Sequence, residues 1–171
     1  MKVIVVGVGK VGRNILQCLV EESHDIVVVD QNAEAVQTVV DRYDVMGLCG
    51  NGCIAENLKE AGADTADLVI SVTPSDEQNV LCCLIAKSLG AKNTIARVRD
   101  PEYNQQSAFM RDKLGIGRLV NPDKALAEEI TRLLRFPSAE KISTFAEGKV
   151  EIVEMKIPVG SIMAGKKLSE I

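Results

Sequence analysis

Residues 3–6 read VIVV, residues 26–29 read IVVV and residues 68–72 read LVISV, with almost no alternation of apolar and polar side chains. A strand with one wet face alternates, whereas a strand covered on both faces does not. Unalternated Val and Ile runs therefore predict a parallel sheet sandwiched between helices. Shorter apolar segments at 45–48, 94–97 and 119–120 continue the series.

Helical patterns fill the intervals. Val11, Ile15 and Leu19 recur four apart; Val36, Val39 and Val40 form a second stripe, and Ile54 and Leu58 a third that stops at Gly62. Ser75 and Gln78 have capping-box spacing ahead of Leu81, Leu84 and Ile85, with Gly90 as the stop. Asp100-Pro101 and Asn121-Pro122 each read as an N-cap followed by proline at the first helical position. Six βα units predict an α/β, doubly wound parallel sheet of strand order 3-2-1-4-5-6. Ligands of such sheets sit outside the carboxyl ends of the strands, at the switch point.

After the apolar stripe Leu126, Ile130, Leu133 and Leu134 the chain reaches Phe136-Pro137. The expected organisation is a nucleotide-binding domain over 1–136, a linker over 137–148, and the beginning of a second, truncated domain over 149–171. Alternating KVEIVEMKI opens that last part as a strand with one wet face.

The switch point carries glycines at G-x-G-x-x-G spacing. Gly7, Gly9 and Gly12 follow a strand and open a helix, the context in which this pattern holds a dinucleotide. Gly7 permits the tight turn, Gly9 the approach of a pyrophosphate, and Gly12 close packing of helix on sheet. The helix amino terminus offers unpaired N–H groups to the anion. Asp30, ending the second strand, is placed to accept from ribose hydroxyls and disfavours a 2′-phosphate. Lys10 either faces the phosphates or is solvated. The glycines around Asn51 fit close approach of an adenosine or a plain turn. Arg97, closing a buried strand, needs a phosphate or a neighbouring aspartate as partner.

Composition narrows the function classes. The formal net charge of -4 and the lack of a Lys/Arg cluster argue against a nucleic-acid surface. Apolar runs are too short to span a bilayer, and the first residues lead into a strand rather than a signal peptide, so a cytoplasmic protein is expected. Five cysteines lie inside regular segments and imply a reducing compartment. The chain has one histidine, His24, expected on the surface at the edge away from the ligand; Cys49 and Cys53 are expected as thiols, not metal ligands. No acid, base or activated nucleophile is evident beside the glycine loop, which points to a nucleotide used as a signal rather than a reagent.

The segments MKVIVVGVGKVG, DIVVVDQN, AGADTADLVISVTPSDEQN, TIARVRDPEY and FAEGKVEIVEMK closely resemble the regulatory subunits of Trk-type potassium uptake systems, whose Rossmann unit is called the RCK or KTN domain. The resemblance runs over essentially the whole chain. It implies a cytoplasmic protein, peripheral on the inner face of the cell membrane. It also implies dimers within a tetrameric or larger ring, docked on a membrane-embedded potassium-translocating subunit.

The implied cofactor is NAD or NADH, with ATP or ADP as further candidates. Position by position, the resemblance implies a dinucleotide loop from Gly7 through Val8, Gly9, Lys10 and Val11. It implies Asp30 on the ribose, Asn51, Gly52, Thr73 and Pro74 on the adenosine, and Arg97 on a phosphate. Asp123 falls where some relatives place an acid near the phosphates or a cation. Lys10 departs from the Arg or Gln common at its position. Two rival readings remain at this stage: an NAD-dependent oxidoreductase fragment lacking its substrate domain, and a Rossmann scaffold that only dimerises.

Overall fold

A computed structural model describes residues 1–145, 150–167 and 169. The chain forms two compact units, 1–125 and the part from Leu126 onward.

In the first unit β1 (Lys2–Val6), β2 (Asp25–Asp30), β3 (Met46–Cys49), β4 (Leu68–Ser71), β5 (Asn93–Arg97) and β6 (Arg118–Val120) make one parallel sheet of order β3-β2-β1-β4-β5-β6. This is the doubly wound, Rossmann-type order expected. Side-chain alternation decides which helix each strand residue meets. Ile4 and Val6 of β1, with Val27, Val29 and Val69, face Leu58 of α3 (Ala55–Glu60) and Cys82 and Ala86 of α4 (Asp76–Leu89). Val3 and Val5, with Ile26, Val28 and Ile70, face Leu16 of α1 (Lys10–Glu21) and Val36 and Val39 of α2 (Ala33–Arg42). Both faces of β1 are thus dry, which explains its unalternated sequence. A third cluster, containing Cys83, Val98, Met110 and Ile116, packs α4 and α6 (Ser107–Leu114) beside β5.

Helix starts follow local chemistry. Asn32 caps α2 by accepting from the Ala35 N–H, and Ser75 caps α4 by accepting from the Gln78 N–H. The return half of the capping box is absent, because the Gln78 carboxamide oxygen faces the Thr73 hydroxyl instead. Asp100 accepts from the Glu102 N–H at the start of α5 (Pro101–Gln105), and Asn121 from the Lys124 N–H at the start of α7 (Pro122–Arg135).

The second unit corrects one expectation. Part of the segment read as a linker over 137–148 is a strand, β7 (Ala139–Phe145), paired antiparallel with β8 (Val150–Met155). Its sequence, AEKISTF, carries too few apolar residues to announce a strand, and its partner supplies the pairing. Residues 146–149, including the expected start of the last segment at Lys149, lie outside the described residues. Glu151 of β8 forms ion pairs with Arg132 and Arg135 of α7.

Candidate functional site

The site is built where the chain leaves β1. Gly7 takes φ +96°, and its N–H donates to the Val29 carbonyl at 2.8 Å. A Cβ on Gly7 would stand 3.0 Å from Thr73 N, and a Cβ on Gly12 would lie 1.9 Å from the Gly7 carbonyl oxygen. Both glycines are therefore demanded by the fold itself. Gly9 differs: its φ is -65°, which any residue adopts, and an added Cβ would meet nothing within 4 Å. Gly9 is the N-cap of α1, no side chain caps that helix, and its first turn carries no acid. The first-turn N–H groups of α1 are thus left for an anion.

Asp30, half-buried at the end of β2, reaches across to this loop. Its Oδ2 accepts from the Val8 N–H at 2.8 Å and its Oδ1 from the Asn32 N–H at 2.9 Å. Each carboxylate oxygen keeps a lone pair for a further donor. Beside it, Gly50 N–H donates to the Asp30 carbonyl, and the Asn51 side chain accepts from the Cys53 N–H. The glycines flanking Asn51 have an internal explanation. A Cβ on Gly52 would sit 2.4 Å from Val6 Cγ1, and one on Gly50 would sit 2.8 Å from Asn57 Nδ2. Of the two readings of this segment, the turn is the one the packing accounts for.

On the other flank, the Arg97 guanidinium donates through Nη2 to the Thr73 carbonyl, and its buried Nε has no partner among the described residues. Burial pulls the Arg97 pKa down and Arg99 adds to that, while Asp76 and Asp123 oppose it. Between phosphate and aspartate as its partner, the described contacts contain no carboxylate bonded to Arg97. Arg99 donates to the Pro74 carbonyl at 2.7 Å, and Asp76 Oδ2 accepts the N–H groups of Arg99 and Asp100.

Two adjoining hollows result, sharing Gly7, Asp30, Thr73 and Pro74. One adds Asn51 and Gly52; the other, about 350 Å³, adds Gly9, Lys10, Val11 and Arg97. Ten of the expected residues thus line one continuous cleft. Val8 is buried and contributes its N–H to Asp30, Gly12 is buried under Gly7, and Asp123 is exposed at the start of α7; none of the three lines a hollow.

Gln31, Cys53, Gln78, Cys82 and Arg99, none of which the sequence pattern marks as a ligand contact, also form the walls. Only Arg99, two residues past Arg97 along an extended segment, had a spacing that could have drawn notice. Burial pushes the Cys82 thiol up to about 12 and raises that of Cys53, so neither is a ready nucleophile. His24 lies just before β2, at the end of that strand away from the cleft, with its side chain 18% exposed and bonded to Glu22.

A family model described as the TrkA-N domain matches residues 3–122. The chain belongs to the TrkA-N domain family. A curated relative, the Trk system potassium uptake protein TrkA of Vibrio alginolyticus, is 35% identical over 174 residues, covering 100% of this chain and 38% of the relative. The chain thus spans about two fifths of the length of the curated relatives it matches.

Among solved structures, the TrkA-N domain of the inner membrane protein ybaL from Escherichia coli superposes with a TM-score of 0.69. It is 22% identical and covers 78% of this chain and 96% of that one. The GsuK channel bound to NAD gives a TM-score of 0.64 at 20% identity, covering 85% of this chain and 25% of the channel. These likenesses establish the TrkA-N fold.

Proposed function

We propose that this chain binds NAD or NADH, or alternatively ATP or ADP, across the switch-point cleft, as the sensing part of a regulatory subunit of a potassium uptake system. The observation that carries the reading is Gly9: the fold gives no reason for a glycine there, and a pyrophosphate lying on the backbone does. The residues fit such a ligand. Asp30 keeps lone pairs for ribose hydroxyls, the first turn of α1 has no side-chain cap, and the Arg97 Nε lacks a partner among the described residues. A solved neighbour of the same fold is described as bound to NAD.

Potassium transport enters through the relatives, which are named Trk system potassium uptake proteins. Among the described residues no helix is long and apolar enough to cross a membrane. The ion path would belong to a membrane-embedded partner, with this chain peripheral on the cytoplasmic side. The titratable side chains lining the glycine-loop hollow are Asp30, already bonded twice, and the cations Lys10, Arg97 and Arg99, which suit holding a phosphate; with relatives named as potassium uptake proteins, we favour sensing over catalysis. Sensing requires that the nucleotide bind two shapes of the assembly with different affinity. Leu126, Ile130, Leu133 and Leu134, all exposed on α7, are the face proposed to meet a second copy.

Calorimetric titration with NAD, NADH, ATP and ADP tests the reading. Micromolar binding of at least one, without consumption of cofactor, is expected; no binding of any of them would overturn it.

A further inference from the structure

We propose that Asn79 is the positioning residue of the nucleotide site, tying Thr73 and Arg97, which form one flank of the cleft, into a single hydrogen-bonded unit. The inference rests on the nucleotide reading above. Asn79 lies on α4 and is 0% exposed, a position where a carboxamide is tolerated only if its bonds are made. They are all made. Its Oδ1 accepts from the Ser71 hydroxyl at 2.9 Å, the Thr73 N–H at 2.7 Å and the Thr73 hydroxyl at 2.8 Å. Its Nδ2 donates to the Thr73 carbonyl at 3.1 Å and to the Arg97 carbonyl at 2.9 Å.

One side chain therefore stitches the end of β4 to the end of β5, beyond the last ladder pair, Ser71 with Ala96. The Thr73 carbonyl it holds is the same oxygen that receives the Arg97 guanidinium. Thr73 also belongs to both hollows and abuts Gly7. Moving Asn79 thus moves the wall against the glycine loop and the arginine together. The chemistry requires an amide, since it must accept on one side and donate twice on the other. An aspartate of the same shape would set an oxygen against two carbonyl oxygens, and a leucine would orphan the groups now bonded to Asn79.

The test is a double-mutant cycle on ADP affinity, measured by calorimetry on this chain, Asn79→Asp, Arg97→Ala and the double variant, with circular dichroism confirming the fold. Asn79→Asp is expected to weaken ADP about tenfold or more. In the Arg97→Ala background the same change should cost about threefold less, because the share of its effect that passes through the arginine is gone. Losses that simply multiply would mean a structural role and overturn the proposal.

Should Asn79→Asp not fold, the unsubstituted chain decides by NMR. ADP should shift the Asn79 side-chain amide protons and leave those of Asn93, at the opposite end of β5, unmoved. ADP binding with no shift at Asn79 overturns the proposal alone. Absence of ADP binding by the unsubstituted chain overturns the ADP reading and this inference with it.

Discussion

Asp30 Oδ2 and the Val8 N–H are joined at 2.8 Å, so the end of β2 holds the glycine loop that follows β1. The proposed ribose acid is also a structural member of the loop it serves. Asp30→Ala should abolish detectable NADH binding while the sheet persists. Losing the carboxylate removes charge-assisted bonds of roughly 1.5–3 kcal/mol each to the ligand, and orphaning Val8 N–H costs stability of about 1–3 kcal/mol. Calorimetry and thermal unfolding read the two effects separately; unchanged NADH affinity would place the ribose elsewhere.

Gly9 and Gly12 separate site from scaffold. Gly9→Ala adds a methyl into open space at an ordinary φ, so stability should hold or rise by up to about 1 kcal/mol while nucleotide affinity falls. Gly12→Ala drives a methyl into the Gly7 carbonyl and should destabilise by about 3 kcal/mol or more. Chemical denaturation of both variants beside the unsubstituted chain gives the comparison.

The exposed face of α7 bears on assembly. Ile130→Asp with Leu134→Asp places charges at positions 47% and 74% exposed, so each chain should stay folded. If a second copy covers this face, the variant sediments as a monomer where the unsubstituted chain is a dimer. Persistence of the dimer would move the interface to another surface.

Asp67 supplies an acid-dependent increment of stability. Its side-chain hydrogen bond from Lys92, helped by the Lys2 N–H, holds its carboxyl below the usual range. A depressed folded-state pKa means stability that is present above the unfolded value near ~3.9 and lost as pH falls through the folded one. Asp67→Asn should therefore melt below the unsubstituted chain at neutral pH, with the difference closing as pH falls below the ordinary carboxylate value of about 4. A gap independent of pH would trace the effect to packing.

Periodicity and motif context were enough for the sheet order, because two-faced burial leaves its mark residue by residue, as in residues 3–6 and 26–29. The same holds for the packing roles of Gly7 and Gly12 and for the placement of Asp30 beside the loop, which depend on neighbouring residues and on the end of the adjacent strand. What separates a fold-imposed glycine from a free one is invisible in a one-dimensional pattern. Gly50 and Gly52 line the cleft, yet Asn57 and Val6 fill the space a side chain would need, a packing reason that the pattern does not show.

Asn79 closes the segment AGADTADLVISVTPSDEQN, but the string alone does not give its task, which comes from the ends of β4 and β5 converging on it in space. Gln78 and Cys82 reach the cleft by helical spacing along the same face of α4, a fact that requires the orientation of that helix on the sheet. β7 likewise exists through β8, since a strand of weak propensity is made by its partner. By itself, then, the sequence determined the architecture, the glycine loop and its acid, all of them local or nearest-strand properties. The tertiary structure decided which glycines the fold needs, where Arg97 points and what holds it there, because those answers depend on atoms brought together from distant strands.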